Sequence, residues 1–117
     1  MTANKVIEIV DGYKVNSYAE EDKFKWINDL DGMIQRTVFM NPTAESMVYP
    51  DDMDKELLVG HPFDEIYPLW VSAYIDYHNR EYDVYNNAML MFTEKFDAFK
   101  KAYIREHMPI QHGGFKL

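Results

Sequence analysis

Residues 67–103 read YPLWVSAYIDYHNREYDVYNNAMLMFTEKFDAFKKAY, and the spacing of the aromatic residues in this stretch decides the fold class. Tyr67, Trp70, Tyr74 and Tyr77 recur at three- and four-residue intervals. Tyr85, Ala88, Phe92, Phe96, Phe99 and Tyr103 continue the same rhythm. Residues so spaced stand above one another on one face of an α-helix. Pro68 fits the first turn of such a helix, where a missing N–H costs nothing, and sets the start close to Tyr67. The stripe holds its phase across Asn79 and is interrupted only by Glu81, a charge where the pattern wants an apolar residue. Either two helices meet near Asn79 or one long helix bends there; the unbroken phase favours the single bent helix. Its end falls near His107, ahead of Pro109 and Gly113-Gly114.

Upstream, Phe24, Ile27, Leu30, Ile34 and Val38 form a second helical stripe, widened by Trp26 and Met33. Ser17-Tyr18-Ala19-Glu20 has the S-x-x-E pattern of a capping box, and Glu21 and Asp22 add negative charge suited to a helix start. The spacing predicts a helix from about Tyr18 to Phe39, ended by Asn41-Pro42. Gly32 inside it costs up to about 1 kcal/mol relative to Ala, and a close approach by another helix would account for it. Val6, Ile9, Val10 and Tyr13 share a face in a first helix from about Thr2 to Gly12, with Gly12 as its stop. The β-branched run KVIEIV also suits a strand, and helix is favoured. Between Asn41 and Lys55 the chain reads as loop. Met47-Val48-Tyr49 and Leu57-Leu58-Val59 are two short runs from which a small β-ribbon in the 43–60 region is an option. The expectation is an all-α fold: a small helical bundle with one long or bent C-terminal helix. It forms a single domain over residues 1–109 with a flexible C-terminal tail, 110–117.

The bulk composition narrows the function. Of 117 residues, 47% are hydrophobic and 27% charged, as in an ordinary globular domain. A chain of this length buries roughly two thirds of its unfolded surface, enough for one core. With 20 acids against 12 bases the formal net charge is −8, which disfavours phosphate backbones and anionic membranes as partners. The bases are scattered except for Lys100, Lys101 and Arg105, a grouping that suits the negative end of a helix dipole. The absence of cysteine excludes a disulfide framework, a thiolate metal site and a cysteine nucleophile, and fits a reducing cytoplasm. No apolar run reads as a signal peptide or a membrane span.

Residue patterns that carry chemistry are few. His78 and Glu81 form one H-x-x-E pair, whereas a di-iron helical bundle needs two E-x-x-H pairs and two further carboxylates. A hydrogen bond on a helix face explains the pair more simply. Asp51, Asp52, Asp54 and Glu56 share the composition of a calcium loop but lack its spacing and central glycine, and read as a solvated acidic loop. His107 and His112 flank Pro109 and make at most a weak metal site. No nucleophile, base and orienting group assemble from motifs, and no Gly-rich phosphate loop is present. The expectation is a protein that is not an enzyme and uses no cofactor or metal.

The aromatic content is the strongest oddity, with 9 Tyr and 7 Phe. At helical spacing such residues belong first to the core. Tyr and Trp are also enriched in the buried centres of protein interfaces, and the set exceeds what a small core takes. The candidate protein-interface residues are Tyr18, Phe63, Tyr67, Trp70, Tyr82 and Tyr85. Tyr18, Phe63 and Tyr82 lie off the main stripes and are the better candidates.

Three segments carry a family likeness: YAEEDKFKWINDLDGMI (18–34), DKELLVGHPFDEIYPLWVSAYIDYHNREYDVYNNAMLMF (54–92) and REHMP (105–109). Together they resemble small phage and prophage proteins encoded in the structural gene cassettes of Gram-positive bacteria and their phages. Those proteins look like head–tail connector or head-completion proteins. The resemblance implies an all-α adaptor that stacks as a ring beneath the portal. Its partners would be other copies of itself and the portal or neck and tail proteins. Its location would be the virion, or the host cytoplasm during assembly. It brings no catalytic residues. The rival reading is a helical regulatory or chaperone-like binding module, dimeric, that uses the Tyr-rich stripe as a groove.

Overall fold

The computed structural model describes residues 1–107 and contains four helices: α1 Ala3–Tyr13, α2 Glu20–Thr37, α3 Ile66–His78 and α4 Tyr82–His107. The expected tail at 110–117, with His112, lies outside the described residues. In α1 the β-branched residues serve a helix because Val6, Ile7 and Val10 reach the core together with Ala3. Thr2 caps it, its hydroxyl accepting from the Lys5 N–H at 3.1 Å. Gly12, expected as the stop, is helical, and the chain leaves the helix at the extended Lys14.

The capping box expected at Ser17–Glu20 does not form. Ala19 holds the cap position of α2 without a side-chain bond, and the Tyr18 N–H instead donates to Asn16 Oδ1 at 3.2 Å. Asn16 thus makes a local turn just ahead of the helix, in place of the cap expected from Ser17. Gly32 does not mark a close helix approach, since a Cβ there would meet nothing within 4 Å.

No β-ribbon forms in the 43–60 region; among the described residues the sole β-pairing is an isolated antiparallel bridge between Thr2 and Glu56. The backbone of this segment finds side-chain amides instead of a second strand. Asn28 donates to the Met47 carbonyl at 3.2 Å and accepts from the Met47 N–H at 3.0 Å. Gln35 does the same for Glu45, at 2.9 and 2.8 Å. Met53, Leu57 and Val59 then sink into the core.

Helix α3 is the centre of the molecule and packs against each of the other three helices. Ile66, Tyr67, Val71 and Ile75 are wholly buried, as expected of a helix that is apolar nearly all round. The Tyr67 hydroxyl donates to Asp31 Oδ1 at 2.6 Å and accepts from the Val59 N–H at 2.9 Å. Asp31 Oδ2 also accepts from the Leu58 N–H at 3.3 Å. Burial pushes the Asp31 carboxyl up, and burial followed by the Asp31 charge pushes the Tyr67 phenol up. Two further buried charges are paired: Lys23 with Asp11 at 2.7 Å, and Asp76 with Lys14 at 2.6 Å.

The single bent helix favoured by the phase of the stripe is in fact two helices. Arg80 sits at φ 63°, in the left-handed region. The Arg80 N–H bonds the Tyr77 carbonyl at 3.0 Å, and the Glu81 N–H bonds the Asp76 carbonyl at 2.9 Å. That pair of bonds is the Schellman stop. Glu81 then opens α4, its carbonyl accepting from the Tyr85 N–H at 2.9 Å. A carboxylate is favourable at that helix start, which explains the one charge that misfits the stripe. The phase survives because both helices turn their aromatic faces into the same groove.

Candidate protein-contact surface

Where α2, α3 and α4 meet, aromatic side chains form a continuous band at the surface. Tyr18 meets Trp26 edge-on at 5.9 Å between ring centroids. Trp26 stacks on both Tyr74 (5.3 Å) and His78 (5.4 Å). Trp70 packs on Tyr74 at 5.1 Å and on Phe92 at 4.9 Å. Tyr77 meets Tyr82 at 5.9 Å and Tyr85 at 5.3 Å. Two bonds fix the frame: Trp70 Nε1 donates to the Trp26 carbonyl at 2.9 Å, and the Tyr18 hydroxyl donates to Asn79 Oδ1 at 2.6 Å.

Trp70, Tyr74, Tyr77, Tyr85 and Met89 enclose a groove of about 340 Å³. Beside it, Tyr18, Asp22, Trp26 and His78 line a shallower notch. The Tyr74 phenol is pushed up by burial and then by the charge of Asp29, which places a carboxylate near the groove. Asp29 also holds Lys25, at 2.8 Å. Tyr77 and Tyr82 are 48% and 52% exposed, so the outer edge of the band is open to another molecule.

Of the six candidate interface residues, Tyr18, Trp70, Tyr82 and Tyr85 come together in this band. Phe63 lies elsewhere. It packs on Phe99 at 6.0 Å and lines a second groove with Phe39, Pro62 and Tyr103. Tyr67 is a correction: its side chain is 0% exposed and belongs to the core, because its hydroxyl satisfies the buried Asp31. Tyr74, Tyr77 and Met89 were missed as groove residues. The signal was present, since all lie within the same aromatic stretch, but core and groove share one helical spacing.

The remaining candidate chemistry does not converge. His78 stacks on Trp26 instead of pairing with Glu81, which lies beyond the helix stop. Asp52 accepts from the Val48 N–H at 2.8 Å, and Asp54 from the Asn4 amide at 3.2 Å, each holding a different part of the loop. His107 Nδ1 lies 2.9 Å from the Tyr103 carbonyl. Among the described residues no three His, Asp or Glu side chains gather as a metal ion would require. No described helix is long and apolar enough to cross a membrane. No protein-family model, curated protein or solved structure matches the chain.

Proposed function

We propose that the chain is a structural protein of a tailed phage or prophage, a head–tail adaptor that assembles from several copies and docks on the portal. The observation that carries this reading is the open aromatic band at the α2–α3–α4 junction. Exposed Tyr clustered around a groove is what a protein contact requires: large apolar area at low conformational cost, with hydroxyls for the rim. The likeness of residues 18–34, 54–92 and 105–109 to connector proteins supplies the kind of partner. The test is to incubate the protein with its cognate portal ring and follow co-sedimentation. Binding that is lost on Tyr82→Ala, with helicity unchanged by circular dichroism, supports the reading. A portal that never takes up the protein under assembly conditions defeats it. The groove of about 340 Å³ favours a second reading, a dimeric peptide-binding module, which predicts binding of extended peptides with no portal present.

A further inference from the structure

We infer that the notch lined by Tyr18, Asp22, Trp26 and His78 takes an arginine side chain from the protein that the aromatic band contacts. The inference rests on the reading of the band as a protein contact and names the group that the partner supplies.

Three segments build the notch. Asp22 and Trp26 stand one turn apart on the same face of α2. His78 comes from the last turn of α3 and stacks on Trp26 with 15° between the planes. The Tyr18 ring stands across both, at 63° to Trp26 and 50° to His78. The bond from the Tyr18 hydroxyl to Asn79 Oδ1 ties the segment ahead of α2 to the stop of α3. The corner is therefore held by the fold itself, before a partner arrives.

Asp22 is the one carboxylate that lines this notch. Its neighbours on α2 are engaged elsewhere: Glu20 accepts from the Tyr49 hydroxyl at 2.9 Å, and Asp29 holds Lys25 at 2.8 Å. Lys23 goes to Asp11, and among the described residues Asp22 makes no ion pair. No cation of the chain covers these rings either, since among the described residues the one cation–π contact is Lys100 over Phe96. The dipole of α2 accounts for an acid in its first turn, but not for three rings gathered beside that acid.

A carboxylate next to aromatic faces selects a cation. The near-parallel Trp26 and His78 favour a planar one. A guanidinium continues their stack over the exposed His78, and its N–H fork meets the oxygens of Asp22. A lysine ammonium brings the charge without the plane. A quaternary ammonium has no N–H to give Asp22.

The test is heteronuclear NMR on the purified chain, titrated with N-acetylarginine amide, N-acetyllysine amide and tetramethylammonium at constant ionic strength. The arginine amide is expected to shift the signals of Tyr18, Asp22, Trp26 and His78 together and saturably, at lower concentration than the other two. Asp22→Asn should weaken it about threefold, the size of one exposed charge pair. His78→Ala, at an exposed position, should bring arginine down to the level of lysine. Shifts that never saturate, equal potency of the three cations, or variants that titrate like wild type overturn the inference. Arginine binding without portal uptake would keep the notch and defeat the adaptor reading. Portal uptake without arginine binding would do the reverse.

Discussion

In α2 and α3, Lys23, Asp31 and Asp76 are buried and each meets a polar partner. In α4 only Phe92, Phe96 and Phe99 are buried, while Leu90 and Met91 face solvent at 71% and 53% exposure. One region takes charges inside and satisfies them; the other leaves apolar side chains outside. The difference follows from packing. Helix α3 packs against α1, α2 and α4, whereas the backbone of α4 lies against α3 alone among the helices. A helix with one neighbour can bury only one stripe, so the rest of its surface is available for contact with other molecules.

The comparison is broken most sharply by equal truncations in the two regions. Leu30→Ala, in the body, is expected to cost about 3 kcal/mol. Leu90→Ala, in α4, should stay within about 0.5 kcal/mol. Urea denaturation followed by circular dichroism measures both, and similar values would erase the distinction.

Next in size is Tyr67→Phe. It removes the donor to Asp31 and the acceptor for the Val59 N–H while keeping the ring. Two buried groups lose their partner, at a cost of about 2 kcal/mol. A near-neutral result in the same denaturation assay would mean that Asp31 is satisfied in another way.

Asp31 also gives the body a pH signature. Burial raises its folded-state pKa above the ordinary 3.8, so the folded protein holds this proton more tightly than the unfolded chain. The stability this confers is complete below the unfolded value and is lost as pH rises through the folded one. Across that window wild type should lose stability with rising pH relative to Asp31→Asn, in which the group no longer titrates. Parallel slopes for the two proteins, in denaturation at several pH values, would remove Asp31 as the cause. Asp11 behaves oppositely. Partial burial raises its pKa, but the bonds from Lys23 and Asn16 bring it below 3.8, and its contribution fades only in stronger acid.

The smallest expected effect sharpens the boundary between the regions. Arg80 holds a left-handed backbone that glycine adopts without strain, so Arg80→Gly should raise stability by about 0.5–1 kcal/mol. A loss in thermal or urea denaturation would show that the Arg80 side chain does more than the structure indicates.

Much of the fold was legible because long aromatic and aliphatic stripes at helical spacing leave few alternatives. The helical body of α2 and the aromatic faces of α3 and α4 follow directly from them. The stop at Asn79–Glu81 was not legible. Nothing in the identity of Arg80 announces a left-handed residue, and hydrophobic phase reports which face is apolar, not whether the backbone is continuous. The β-ribbon failed for a related reason: Asn28 and Gln35 took the bonds that a partner strand would have taken, and a tertiary amide clamp has no local pattern. Of the candidate interface residues, Tyr18, Trp70, Tyr82 and Tyr85 share one aromatic band in the fold, but nothing in the sequence set Phe63 apart from them. Tyr67 was not separable from them, because its role depends on Asp31, distant in sequence.

That α4 rests on α3 alone has a consequence for synthesis on the ribosome. Helices α1, α2 and α3 emerge first, and α3 lacks its most extensive packing partner while α4 is still inside the exit tunnel. During that interval Trp70 and Tyr74 lack their cover from Phe92, Tyr85 and Met89. The nascent chain then shows a bare aromatic face that closes only when the last helix emerges and folds back across it.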